Sequence, residues 1–494
     1  MVSDTDREPL LNRIPPLPVR DMPATKAFSL SRVGWYCLLL NLLCGLSESI
    51  LNSPLLALYE QSLCVSYFDA HPDPTGSVSI INLAINSRCK IVPIQQEIAT
   101  VRGWKSLFDA IPALLFAIPF GRMADRVGRS RVYVLSLFGS ILALSFEFII
   151  CLYPRQFSLR WVWFSSLFKC VGGGAATSDA MLMAMAADSC APRDRTQTMY
   201  YLYVAFVLAE ILGPLAASVL MRVSLWIPCL MGLALLVLSA VVVVLVPESW
   251  RSSSHPSLRS SSETASHGPE SLDATGPRSG VVDADVARTS HTYAAAFQEN
   301  LRYLRHKNIM LVMPLFFVLT MRYILLGILV QYSSARFGWD IADTGIFQSE
   351  VAIVGLVQYL LLLPAFLQYL RSKSLASPVE TDLKIVNFSV SCLFIGSVCI
   401  GLCHIRWLLV PAVLIFALGF GIRAPLLSFL SFQGPDSSRG VLFSTATVVS
   451  NMGQLICSPV WGYIFAWSSG LVGLWQCVPF HIGAVCEPSS HSVG

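Results

Sequence analysis

Gly121–Arg131, GRMADRVGRSR, is a short basic run between two long apolar stretches. It holds Arg122, Arg126, Arg129 and Arg131, one aspartate (Asp125) and two glycines, Gly121 and Gly128. FDAIPALLFAIPF precedes it and VYVLSLFGSILALSFEFIICLY follows it. A tight charged turn between two membrane spans needs glycine for the bend and arginine for the cytoplasmic surface. The stretch therefore predicts two spans and fixes which side of the membrane their connection faces.

The whole chain fits that reading. Its 494 residues are 54% hydrophobic and only 13% charged, against about 25% charged in soluble domains. An all-α membrane protein follows. The net charge of +4 is too small and dispersed for a nucleic-acid partner. No phosphate-binding G-x-x-x-x-G-K-[ST], no His/Cys set with metal spacing and no nucleophile elbow is present. The chain is thus read as no enzyme, without cofactor, its energy source a proton gradient. The first 30 residues lack the apolar core and cleavage site of a secretory leader.

Spans need about 20 mostly apolar residues each. Twelve are read: 33–58, 103–121, 132–153, 161–186, 197–221, 225–246, 309–331, 343–364, 385–403, 407–431, 441–466 and 470–486. The last is short and interrupted by Pro479 and His481. Residues 1–32 read as a disordered cytoplasmic arm, with an acidic dileucine pattern at Asp6–Leu11 that fits a vacuolar or endosomal address. Residues 247–308 are rich in serine, proline and glycine and read as a disordered cytoplasmic linker; 487–494 form a tail. The linker divides the spans into bundles at 33–246 and 309–486. Two pseudo-symmetric six-helix bundles place a substrate site at the midplane between them. Lysine and arginine crowd the segments that are cytoplasmic if both termini are inside. Only Lys169, Arg322 and Arg423 are counted as cations within spans. Cys64 and Cys89 are the two cysteines of the predicted outer loops, and a disulfide between them fits the oxidising outer compartment.

Twelve spans, the even split and GRMADRVGRSR together resemble the major facilitator superfamily, whose signature between spans 2 and 3 is G-x-x-x-D-R-x-G-R-[KR]. Gly121, Asp125, Arg126, Gly128 and Arg129 match it, with Ser130 in place of the final basic residue. Lys169–Ala175, KCVGGGA, is similar to the family's R-x-x-Q-G-x-G in span 4. Gly173 is matched there, and Lys169 stands where the family arginine is associated with proton coupling. Gly213-Pro214 resembles the core of the antiporter signature G-x-x-x-G-P-x-x-G-G, with Ala209, Ala217 and Ser218 for the other glycines. Small residues keep such a face close to its neighbour. The first outer loop, with its two cysteines, resembles the branch of proton-coupled folate transporters and fungal drug or metabolite exporters.

An ionisable residue at membrane depth costs several kcal/mol unless it is paired or faces water. Asn41, Glu48 and Asn52 fall on one face of span 1, predicted to look into the cavity. Lys169 and Asp179 in span 4 are too far apart to pair with each other. A Lys169–Glu210 pair between spans 4 and 5 is the expectation. Asp109, Glu147 and Glu350 are read in the outer halves of spans 2, 3 and 8, within reach of the interface. Arg322 and Arg423 suit an anionic group or a structural carboxylate, since arginine keeps its proton. The expected function is proton-coupled efflux of a small organic molecule by a monomer, at the plasma membrane or alternatively the vacuole. Uptake of an organic anion is the second reading. A non-transporting receptor or scaffold is a third, and intramembrane charges in both halves argue against it.

Overall fold

The computed structural model describes residues 31–71, 89–190, 195–246, 307–362, 378–432, 439–471 and 473–486. The N-terminal arm, the linker and the tail lie outside the described residues. Among the described residues the helical segments form twelve successive rods, numbered here as spans. Spans 1 to 3 are Arg32–Ala70, Val92–Val127 and Arg129–Leu152. Span 4 is broken, with helical pieces at Leu159–Phe164, Ser165–Phe168 and Gly174–Asp188. Spans 5 and 6 are Arg195–Met221 and Trp226–Val244. Spans 7 to 9 are Lys307–Phe337, Ile341–Leu362 and Pro378–Leu402. Span 10 runs from Arg406 to Phe432 through a 3-10 turn, span 11 is Arg439–Ser469, and span 12 covers residues 473–486.

Eight of these are long and apolar enough to cross a membrane by composition alone. Span 4 falls short because it is broken into short pieces. Span 12 consists of a 3-10 turn, Gly473–Cys477, and a nine-residue helix, Val478–Cys486. It is nonetheless packed: a Cβ on Gly401 would stand 2.5 Å from the His481 ring.

Span 1 has 39 residues, about 58 Å of helix, against a hydrocarbon core of about 30 Å. Its start is capped by Ser31, whose Oγ accepts from the Gly34 N–H. Its far end projects beyond the bilayer and carries Cys64, joined to Cys89 by a disulfide with the Cα atoms 5.4 Å apart. The sequence reading ended span 1 at residue 58 and began span 2 at 103. Span 2 in fact begins at Val92, so Arg102 also falls within it, and Lys105, already inside the span as read, belongs with it in the count of cations.

Among the described residues three apolar cores hold the rods together, one of them, around Leu40, Tyr133 and Leu182, within spans 1–6. Ile50, Leu58, Ile98, Phe148 and Val162 belong to another in spans 1–6. Leu325, Phe347, Phe416, Phe465 and Phe480 belong to one in spans 7–12. Contacts between the halves gather toward the disulfide end. Lys90 Nζ donates to the Trp339 carbonyl at 2.5 Å, Gln331 Nε2 to the Gln95 carbonyl at 2.9 Å, and Arg222 meets Asp343 at 3.0 Å. Spans 2 and 11 cross closely there, where a Cβ on Gly462 would lie 2.8 Å from the Ala99 carbonyl oxygen.

The disulfide closes a 25-residue separation. Its loss through Cys64→Ser with Cys89→Ser is expected to destabilise the chain by about 3 kcal/mol. Thermal unfolding in detergent reads this as a lower midpoint that no longer responds to reductant.

Candidate functional site

The signature turn is built around Gly128, with φ 115°, which ends span 2 and starts span 3. A side chain at that φ is strained, so glycine makes the turn tight. Arg129 reaches across to Asp188 at the end of span 4 in an ion pair. Arg126 is exposed, and Gly121 has no neighbour within 4 Å of a Cβ placed on it. The Asp125 side chain lies outside the described residues.

The centre of the site is the break in span 4. Gly172, Gly173 and Gly174 all have positive φ, at 91°, 79° and 68°. The helix stops after Phe168 and restarts at Gly174, correcting the continuous span read from sequence. Span 3 makes room for this. A Cβ on Gly139 would stand 2.1 Å from the Val171 carbonyl oxygen, and one on Gly172 would stand 2.4 Å from the Ser136 backbone. Ser136 Oγ donates to the Gly174 carbonyl at 2.6 Å. Irregular backbone at membrane depth is tolerated where protein or a water-filled cavity surrounds it.

The break delivers Lys169 to the middle of the bundle. Its Nζ lies 2.9 Å from Asp109 Oδ2. Lys105 Nζ lies 2.7 Å from the same oxygen and 2.9 Å from Glu147 Oε1. Tyr59 donates to Glu147 Oε2 at 2.6 Å, Ser165 to Glu147 Oε1 at 2.9 Å, and Ser166 to Asp109 Oδ1 at 2.5 Å. Two lysines and two carboxylates thus form one network from spans 2, 3 and 4, closed by hydroxyls. Asp109 and Glu147 do not reach an interface, contrary to the sequence reading. Glu350 does not either: its Oε1 is buried with no hydrogen-bond partner among the described residues.

The expected Lys169–Glu210 pair is absent. Glu210 instead accepts from Ser49 Oγ at 2.7 Å. Spans 1 and 5 approach closely enough for this because position 213 is glycine, where a Cβ would meet the Ser49 Cβ at 2.5 Å. Pro214 follows within the same helix. Asn41 is a second correction, being buried and donating from Nδ2 to the Leu202 carbonyl at 2.7 Å. It ties span 1 to span 5 and does not face the cavity.

Two adjoining cavities meet at Glu48, Asn52, Arg102 and Ser106. One, of about 340 Å³, lies within the first half; the lysine–carboxylate network and Asp179 line it. The other, of about 450 Å³, lies between the halves and is lined by Glu210, Tyr323, Gln331, Gln348 and Gln454 among others. Glu48 and Asp179 are solvent-accessible there and form no ion pair among the described residues. Arg102 Nη1 reaches across the halves to the Gly327 carbonyl at 3.4 Å. Arg322 is buried, and Arg423 is exposed.

Sequence reasoning missed Arg102 because span 2 was begun one residue after it, and passed over Lys105 although that residue lies inside the span as read. The signal was present: Arg102, Lys105 and Asp109 are spaced by three and four, one face of a helix.

Twelve rods, an acid-rich central cavity and a second cavity between two halves define a multi-pass membrane transporter of small organic molecules. The chain belongs to the Major Facilitator Superfamily, which it matches over residues 92–458. It is 29% identical to the MFS efflux pump atnC of Emericella nidulans over 448 residues, covering 88% of this chain and 82% of that one. It is 28% identical to the efflux pump ustT of Aspergillus flavus, covering 87% and 82%. Among solved structures, a bacterial homologue of the iron transporter ferroportin in its inward-facing state matches 94% of this chain and 100% of that chain, with TM-score 0.57 at 14% identity. A peptide transporter in complex with sulfate matches 95% and 96%, also with TM-score 0.57 and 14% identity. These structural likenesses concern the fold.

Proposed function

We propose that the protein is a proton-coupled exporter of a small organic metabolite, acting as a monomer in the plasma membrane with both termini in the cytoplasm. The observation that carries the coupling is the unequal partnering of the acids around the first cavity. Asp109 and Glu147 are held by Lys105 and Lys169. Glu48 and Asp179 line the same space without a salt bridge among the described residues. An unpaired carboxylate at membrane depth that faces a water-accessible cavity is able to take up and release a proton. Lys169 stands between the two sets. As the halves rock, moving it from Asp109 toward Glu48 displaces a proton from the Glu48–Asp179 pair.

Efflux is favoured by the two relatives named as efflux pumps. The halves rock as units of six spans, divided at the linker. With the signature turn in the cytoplasm, the contacts gathered at the disulfide end close the outer side and leave the cavities to the inner one.

Purified protein in proteoliposomes with an imposed pH gradient and a panel of metabolites tests this. Substrate-dependent proton flux, out of phase with substrate movement, is the expected result. Glu48→Gln is expected to abolish the proton flux while leaving substrate exchange between the two faces. Proton flux unchanged in that variant removes Glu48 from the coupling. Flux of proton and substrate in the same direction would instead establish uptake.

A further inference from the structure

The second half holds a cation that the network of the first half does not explain. Arg322 lies in span 7, 2% exposed. Its Nε and Nη1 have no hydrogen-bond partner among the described residues. A guanidinium carries five N–H donors. Only Nη2 makes a polar contact there, to the Tyr323 hydroxyl at 3.4 Å. The guanidinium carbon sits 4.9 Å from the Tyr323 ring centre and 5.0 Å from that of Phe420. Two aromatic faces compensate part of the burial. They accept none of the three N–H groups on Nε and Nη1.

The helices around Arg322 are irregular at the same level. Span 8 becomes a π-helix at Gln358–Leu362, and span 10 a 3-10 turn at Gly419–Ile422. They are tied by Gln358 Nε2, which donates to the Leu418 carbonyl at 2.8 Å. The π-helix presents Tyr359, whose ring lies 5.7 Å from Tyr203 of the first half. Tyr323, 53% exposed, lines the cavity between the halves. π-Turns and broken spans mark binding sites in membrane proteins.

The comparison with span 4 is informative. There the interrupted helix also carries a cation, Lys169, but Asp109 neutralises it. Around Arg322 no carboxylate does so among the described residues. One half holds acids and matched lysines, the other an arginine framed by rings.

We propose that Arg322 anchors the anionic group of the substrate, and that the substrate class is an aromatic carboxylate. Its carboxylate takes the free Nε and Nη1 donors as a bidentate pair. Its ring lies among Tyr203, Tyr359 and Phe420. Tyr323 covers the guanidinium while the cavity is empty and swings aside to admit the anion. The proposal rests on the transporter reading and not on its proton coupling.

The test is calorimetric binding to the full chain in nanodiscs, without a proton gradient, using 2-naphthoate and its neutral amide, 2-naphthamide. Wild type is expected to bind the carboxylate at least about tenfold more tightly than the amide. Arg322→Met is expected to bind both equally. Tyr323→Ala, which keeps the arginine and removes its cover, is expected to keep the preference and strengthen it. Equal binding of both probes by wild type, or no saturable binding of the carboxylate, overturns the proposal. So does a preference that survives Arg322→Met. Should Arg322→Met not fold, loss of the preference in Tyr323→Ala overturns it. Failure of the proton-flux experiment leaves this result standing, because binding is read at equilibrium.

Discussion

Lys105→Met is expected to destabilise the protein by roughly 3–5 kcal/mol, whereas Lys169→Met is expected to leave it folded and abolish transport. The two lysines share Asp109 but differ in what depends on them. Lys105 holds both Asp109, at 2.7 Å, and Glu147, at 2.9 Å. Its removal leaves Glu147 with only the Tyr59 and Ser165 hydroxyls, a buried charge without a cation. Breaking one partner of a buried pair costs more than the pair contributes, because the remaining charge stays desolvated. Lys169 pairs with Asp109 alone among the described residues, and Asp109 then retains Lys105. The fold is therefore expected to survive its loss while the cation that the proposed coupling step moves is gone. Thermal unfolding in detergent and gradient-driven flux in liposomes separate the effects. Adding Glu147→Gln to Lys105→Met should recover much of the stability. Equal destabilisation by both lysine variants would show that the network has no division between a holding and a moving cation.

That division could not be read from the chain. The fold could, because its determinants are local: an apolar run long enough for a bilayer, a glycine at the turn, arginines on one side of it. GRMADRVGRSR carries all of these within eleven residues. Glu48 and Asn52 were legible for a related reason, since helical spacing puts them on one face and the cavity accepts that face. Asn41 shares the spacing but meets span 5, where a backbone carbonyl is free to accept. Periodicity names a face; it does not say where along the helix that face leaves its neighbour.

Partners were harder still. Lys169 and Glu210 are on adjacent spans, which made their pairing attractive. The break at Gly172–Gly174 turns Lys169 toward span 2 instead, while Gly213 brings span 1 against Glu210. Three successive positive φ values are a tertiary outcome. Glycine permits them, but the close packing of span 3 requires them. Arg102 was missed through a boundary, because the charged first turns of span 2 resemble a loop until the long projecting end of span 1 is known to pack beside them; Lys105 lay inside the span as read and was passed over.

Gly139→Ala carries the second large effect, although the substitution adds one methyl group and lies outside every recognisable motif. The new Cβ would stand 2.1 Å from the Val171 carbonyl oxygen and 2.8 Å from that of Phe168. Both are backbone atoms, so no rotamer change relieves the clash. Span 3 must move away from the break in span 4. Overpacking of this kind costs on the order of 3 kcal/mol at its upper end. The displacement also draws Lys169 from Asp109, so transport is expected to fall further than stability does. Gly172→Ala should behave alike, with the added strain of its φ of 91°. Gly121→Ala is the opposite case. It alters a residue of the family signature, yet among the described residues no atom beyond its own stretch of helix lies within 4 Å of the added carbon. In the interior of a helix it should stabilise by roughly 0.5–1 kcal/mol. Thermal midpoints of the three variants therefore order as Gly121→Ala above wild type, and Gly139→Ala and Gly172→Ala well below it. A Gly139→Ala protein as stable and active as wild type would mean that spans 3 and 4 are not in contact at the break, and the placement of Lys169 would fall with it.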